Sequence, residues 1–340
     1  MTRSCWSRAL FGAIMEVAIL TASAAATPTD VSISNTRRFE FASTINAHRY
    51  VISVGLPDER CPERGCGVLY VLDGDFYFAS AAGAARLGNA PGVVVVGIGY
   101  PNRPAFVRSV LSEHQPLPAH FNSMPQSQAA IELERTYDLT LPATDQELVA
   151  QRDITVSEMT SKSVGGLDDF LKTIEIDVKP RVAKLVPIDP TNQAIFGHSL
   201  GGLAVLHALF VNPGGFRTFI TASPSIWWNM SSVLLDEPRF SAAVQAGTVK
   251  PRVLLTIGSN ESTAPTIIPP GWGMSAAELD TALQRARMVQ NVAELAARLK
   301  ALRGNEGYVV DYAVFDQQDH GISPWPAIGR GIPFAFKRGL

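Results

Sequence analysis

The chain alternates between short unbroken apolar runs and longer stretches of helical character. Arg38 to Ser43 and Arg49 to Leu56 are rich in β-formers. Gly67 to Leu72 and the valine-rich Gly92 to Gly99 are continuously apolar, the pattern of strands buried on both faces of a parallel sheet. Phe76 to Leu87 between them reads as a helix. Further short strands are expected at Gln193 to Phe196, Phe219 to Ser223, Arg252 to Ile257 and Tyr308 to Phe315. Helices are expected at Gly165 to Leu185 despite Pro180, and at Gly202 to Phe210. A single long helix is expected from Ser275 to Leu302, opened by a capping box of Ser275 and Glu278. Strand-helix alternation of this kind predicts an α/β fold with a mostly parallel, doubly wound sheet. From Pro101 to about Ser163 the alternation stops and prolines and polar residues take over. That span exceeds an ordinary βα connection, so it is expected to be an irregular, partly ordered cap inserted in one domain of residues 27–340.

The first 26 residues stand apart. Met1 to Arg8 is basic, Ala9 to Leu20 is largely apolar though interrupted by Glu16, and Ala24-Ala25-Ala26 offers an A-x-A site. The expectation is a secretory signal peptide cleaved after Ala26, leaving no stable membrane anchor and a periplasmic or secreted product. Arg3, Arg8 and Glu16 lie within it, so cleavage carries the formal charge from −2 to −3. A chain so close to neutral lacks the basic tract that nucleic-acid binding needs. At 46% hydrophobic and 18% charged, its composition is that of an ordinary globular protein. Cys5 falls in the signal, and the remaining Cys61 and Cys66 are expected to pair as a local disulfide, with no second cysteine or histidine pair to suggest zinc.

The chemistry centres on Gly197-His198-Ser199-Leu200-Gly201. A Gly-x-Ser-x-Gly between a strand and a helix is a nucleophile elbow: the serine takes a strained conformation above the sheet edge. Side chains two positions either side would collide as strand and helix close together, so both are glycine. A serine hydroxyl needs a base, usually a histidine held by a carboxylate, in the chain order serine, acid, histidine. Of the six histidines, only His320 follows the last expected strand. His48 is assigned to an early strand, His207 to a structural place behind the serine, and His114 and His120 to the insertion. Glu261, in the loop after Arg252 to Ile257, is the expected acid, with Asp316, Asp311 and Asp319 less well placed. Oxyanion donors are expected from the backbone N–H of Leu200 and from Gly74 or Asp75, between which the sequence does not choose. There is no His-Glu-x-x-His, Walker loop or complete dinucleotide fingerprint, so neither a metal nor an organic cofactor is expected.

With these residues located, the chain resembles the esterase D-like branch of the α/β-hydrolases that contains the enterobactin- and salmochelin-type siderophore esterases. The resemblance runs from about Arg38 to the C-terminus. It is carried by Val71 to Asp75, Gly99-Tyr100-Pro101, Arg135 to Thr140, Gly197 to Gly202, Ser223 to Trp228, Ala286 to Asn291 and His320-Gly321. It implies an exported serine esterase acting on small-molecule carboxylic esters, siderophore trilactones among them, with Ser199 as nucleophile and His320 as base. A feruloyl-type or general carboxylesterase, an acyltransferase, or a catalytically silent binding protein are the alternatives. Of Trp227 and Trp228, one is expected to pack in the core and the other to offer an aromatic wall to substrate. Arg135 is expected either to pair with Asp138 or to meet an anionic substrate.

Overall fold

In the computed structural model the described residues are 32–87, 92–117, 121, 124–155, 159–264 and 275–337. The expected signal peptide, His120 and the chain around Trp272 lie outside them. Ser34 to Leu340 forms one compact unit. An eight-stranded sheet runs through it in the order β1 (Thr36–Ala42), β2 (Arg49–Gly55), β4 (Val93–Gly99), β3 (Cys66–Val71), β5 (Ile188–His198), β6 (Thr218–Ala222), β7 (Arg252–Gly258), β8 (Val309–Phe315). Strands β1 (Thr36–Ala42) and β2 (Arg49–Gly55) form an antiparallel edge hairpin, and β2 pairs antiparallel with β4. All later pairings are parallel. His48 lies in the hairpin connection rather than in a strand.

From β3 (Cys66–Val71) the chain enters α1 (Gly74–Arg86) and returns as β4 (Val93–Gly99). Every residue of β3 and β4 is buried, as central strands covered on both faces require. Cys61 and Cys66 are joined by a disulfide immediately ahead of β3.

The insertion is helical rather than irregular. It contains α2 (Pro104–Glu113), α3 (Gln126–Asp138), α4 (Asp145–Ala150) and α5 (Arg152–Thr155). Prolines obscured these helices because they sit just outside or at their first turns, where the missing N–H costs nothing. Helix α3 packs on α2 and on α6 (Leu167–Thr173), which fixes the cap to the body of the fold. Beyond α6 a π-helical segment, Ile174–Val178, leads into α7 (Lys179–Ala183). There Lys179 N–H bonds back to Ile174 O, a register shift that lets the helical path continue through Pro180.

Strand β5 (Ile188–His198) delivers the chain to α8 (Leu200–Val211), whose residues Leu200 to Phe210 are all buried. A helix apolar on every side must lie inside the molecule, and α8 packs directly beneath the sheet on β5 and β6 (Thr218–Ala222). After β6 come a single turn α9 (Trp228–Ser231), α10 (Glu237–Gln245) and β7 (Arg252–Gly258).

The long helix expected from Ser275 is two. The capping box of Ser275 and Glu278 opens α11 (Ala276–Ala286), but Arg287 adopts φ 47° and α12 (Met288–Ala301) leaves in a new direction. Helix α11 packs on α5 of the cap while α12 packs on β7 and β8 (Val309–Phe315), and one straight helix cannot cover both. A last helix, α13 (Pro324–Phe336), follows the His320 loop and packs on α1, β5, β6 and β7. Its prolines hid it from the sequence pattern.

Candidate active site

Ser199 stands between β5 and α8 with φ 60° and ψ −119°, a conformation that L-residues rarely adopt. Its N–H donates to Ala222 O at 3.0 Å and its carbonyl accepts from Leu203 and Ser225, which hold the strained residue from both sides. A Cβ on Gly197 would stand 2.1 Å from Gly201 O, so the strand-helix approach accounts for that glycine. The reason for Gly201 is different: a side chain there would meet the Asp73 carboxylate.

The three loops after β5, β7 and β8 bring Ser199, Glu261 and His320 together. His320 Nε2 is 2.9 Å from Ser199 Oγ, and His320 Nδ1 is 2.6 Å from Glu261 Oε2. Glu261 is 1% exposed. Burial acts to raise its carboxyl, but the His320 ring, the Ser223 hydroxyl and the Gly258 N–H together hold it below the ordinary carboxylate range. An ionised carboxylate only accepts, so Nδ1 carries the proton and Nε2 faces the serine hydroxyl as an acceptor. Such an arrangement can take a proton from Ser199 and steady the imidazolium that would result.

Residues without a sequence signal complete the support. Ser223 Oγ donates to Glu261 Oε1 at 2.5 Å and lies 2.8 Å from Ser323 Oγ, both serines being fully buried. The His198 ring lies 4.5 Å from that of His320, with its Nδ1 hydrogen-bonded to Tyr77 Oη at 3.0 Å. Burial first, then the neighbouring His320 ring and the Arg135 guanidinium, hold His198 well below the usual histidine range, so it backs His320 as a neutral ring. His207 is buried in α8 and bonds Asp168 through Nε2 at 2.8 Å, the place of a structural histidine.

The recess above Ser199 is lined by Leu200, Ser225, Trp227, Trp228 and, from the cap, Phe121 and Met124. Trp228 is wholly buried with Nε1 donating to Leu141 O at 3.1 Å, while Trp227 is half-buried at the wall. Arg135 also reaches the recess, but its partner is Asp73 rather than Asp138. Asp138 instead accepts from Tyr100 Oη and faces His48. The rotation of α3 decides this, since Arg135 and Asp138 point to different neighbours. Gly74 and Asp75 open α1 and line a separate recess with Arg38, Ser53 and Asn102, and the Asp75 carboxylate accepts from Tyr100 N–H. Leu200 is the first residue of α8, whose free N–H end points toward the serine. Among the described residues no His, Cys, Asp and Glu group could hold a metal ion.

Comparison with known proteins gives this geometry its setting. The family model described as "Putative esterase" matches residues 43–327. Siderophore enterobactin esterase of Emericella nidulans is 31% identical over 80% of this chain and 82% of that protein. Ferri-bacillibactin esterase BesA of Bacillus subtilis is 29% identical over 86% of this chain and 87% of its own length. Among solved structures, siderophore hydrolase EstA from Aspergillus nidulans superposes with TM-score 0.68 at 26% identity, covering 93% of this chain and 100% of that one. With its strand order, its elbow and these relatives in agreement, the chain belongs to the Esterase family, a serine-type carboxylic ester hydrolase on the α/β-hydrolase fold.

Proposed function

We propose that this esterase cleaves siderophore esters through an acyl-enzyme on Ser199. The observation that carries the reading is the unbroken hydrogen-bonded chain from Ser199 Oγ through His320 to Glu261. Its relatives named for ferri-bacillibactin and enterobactin indicate the class of ester. Ser199 Oγ attacks the ester carbonyl carbon as its proton passes to His320 Nε2. The tetrahedral oxyanion is held by the Leu200 N–H and by an N–H of the Gly74-Asp75 turn. His320 returns the proton to the departing alcohol, leaving the acyl group on Ser199. Water then attacks that acyl carbon with His320 as base, releasing the acid and regenerating the serine. Trp227 supplies the aromatic wall for the acyl group.

Export belongs to the same reading, supported by the basic head, apolar run and Ala24-Ala25-Ala26 site. Sequencing the N-terminus of protein recovered outside the cytoplasm tests it, with Thr27 expected first.

The deciding experiment compares wild type with Ser199→Ala on p-nitrophenyl butyrate and on a catecholate trilactone. Loss of several orders of magnitude in kcat is expected, together with a mass increase on Ser199 after phosphonate treatment of the wild type. Equal rates for the two proteins would overturn the mechanism. Turnover of the simple ester alone would keep the mechanism and refute the siderophore assignment.

A further inference from the structure

The recess over Ser199 contains a cation, yet the charge around it is not positive. Arg135 enters from α3 with its side chain only 11% exposed. Its Nε and Nη2 donate to the two oxygens of Asp73 at 2.7 and 2.9 Å, and Nη1 donates to Glu132 Oε2 at 3.1 Å. Each of the guanidinium nitrogens is thus already engaged with a carboxylate, in the planar fork that suits this cation. Arg135 and Glu132 are the charged residues of the described lining, and Asp73 behind Arg135 adds a second carboxylate, so the guanidinium leaves no positive excess. The other described lining residues, among them Phe121, Met124, Ile154, Met159 and Trp227, carry no charge.

An anionic acyl group entering here would compete with Asp73 and Glu132 for Arg135, which already donates to both. Drawing Arg135 away would leave Asp73, 1% exposed in its side chain, as a buried carboxylate without its partner, which is strongly unfavourable. Glu132 is the more exposed of the two acids and borders the recess itself, so it would repel the anion directly. An uncharged acyl group meets aromatic rings, thioethers and aliphatic side chains instead, with no ion pair to break.

We infer that the acyl site of this esterase selects esters whose acyl group carries no negative charge, and that Glu132 determines this selectivity. A polyanionic ferric tris-catecholate is then a poor substrate beside its uncharged iron-free ester. The inference rests on the proposed role of Ser199 only for its catalytic readout.

The test uses a rigid pair of esters, 4-nitrophenyl benzoate and 4-nitrophenyl 4-carboxybenzoate, which differ in one remote carboxylate. Wild type is expected to favour the benzoate in kcat/KM by about tenfold or more, the order expected for like charges several ångströms apart in a partly wetted recess. Raising the salt concentration narrows the ratio, and Glu132→Gln narrows it by roughly threefold or more. Equal turnover of the two esters by wild type, or a ratio unmoved in folded Glu132→Gln, would overturn the inference. Dissociation constants of both esters in Ser199→Ala, read from tryptophan fluorescence, separate binding from chemistry. Equal constants there also overturn it. A preserved preference in binding, alongside a wild type that turns over neither ester, overturns only the assignment of Ser199.

Discussion

Ser223 Oγ donates a 2.5 Å hydrogen bond to the Glu261 oxygen that does not face His320, and it does so from a left-handed backbone conformation with φ 45°. Since Ser223 donates to Glu261, the 2.8 Å contact between the two serines must have Ser323 as its donor. Ser323 follows His320 by three residues, and Ser223 directly follows β6, so one relay joins the histidine loop, the acid loop and the end of a sheet strand. Removing it as Ser223→Ala leaves that Glu261 oxygen with the Gly258 N–H alone as donor, so the carboxylate is held less firmly against His320. The expected result is a fall in kcat of about 10- to 100-fold, the scale of a lost charge-assisted bond, with KM little changed. Steady-state kinetics beside a melting curve check this.

Glu261 carries a pH signature of definite sign. Its carboxyl is held below the ordinary value of 4.5 in the fold, so its contribution to stability is complete above that value and is lost as pH falls through the folded one. In thermal melts from about pH 7 to about pH 3, the advantage of wild type over Glu261→Gln should persist until the acidic end and then vanish. Activity of Glu261→Gln should drop on the order of 10³- to 10⁴-fold at neutral pH, because an amide can present its N–H to His320 and favour the wrong tautomer.

Gly197 has no room for a methyl group. With Gly201 O 2.1 Å from the position of an added Cβ, Gly197→Ala forces strand and helix apart. A loss of more than about 4 kcal/mol of stability is expected, enough to deplete the folded protein in expression trials and melts.

The two adjacent tryptophans should separate in their effects. Trp228→Ala removes a wholly buried side chain and its bond to Leu141 O, for a cost of about 3–5 kcal/mol in denaturant unfolding. Trp227→Ala, at the half-buried wall, should cost less stability and instead raise KM for aromatic esters.

Reduction of the Cys61–Cys66 bridge releases a short loop ahead of the buried strand β3. Chain-entropy reasoning for so small a loop gives about 2 kcal/mol, so reductant should lower the melting temperature by several degrees without abolishing folding.

The apolar runs by themselves determined the parallel core of the sheet, because a strand buried on both faces must be apolar throughout and says so in one dimension. The elbow was equally legible, since Gly197, Ser199 and the apolar α8 are neighbours in the chain and their constraint is local. The fixed order of serine, acid and histidine along this fold pointed to His320 and favoured Glu261 over Asp316, Asp311 and Asp319. What the sequence could not show is whatever depends on helix rotation and on contacts between distant loops. The cap read as irregular because its helices are short and flanked by proline, and its helicity comes from packing on α6 and α11. The break at Arg287 arises because α11 and α12 cover different surfaces. Arg135 pairs with Asp73 rather than its close neighbour Asp138 because α3 turns it toward the end of β3, sixty-two positions away in the chain. The Ser223–Ser323 relay spans one hundred positions, and only the closing of the sheet brings two unremarkable serines against a buried carboxylate.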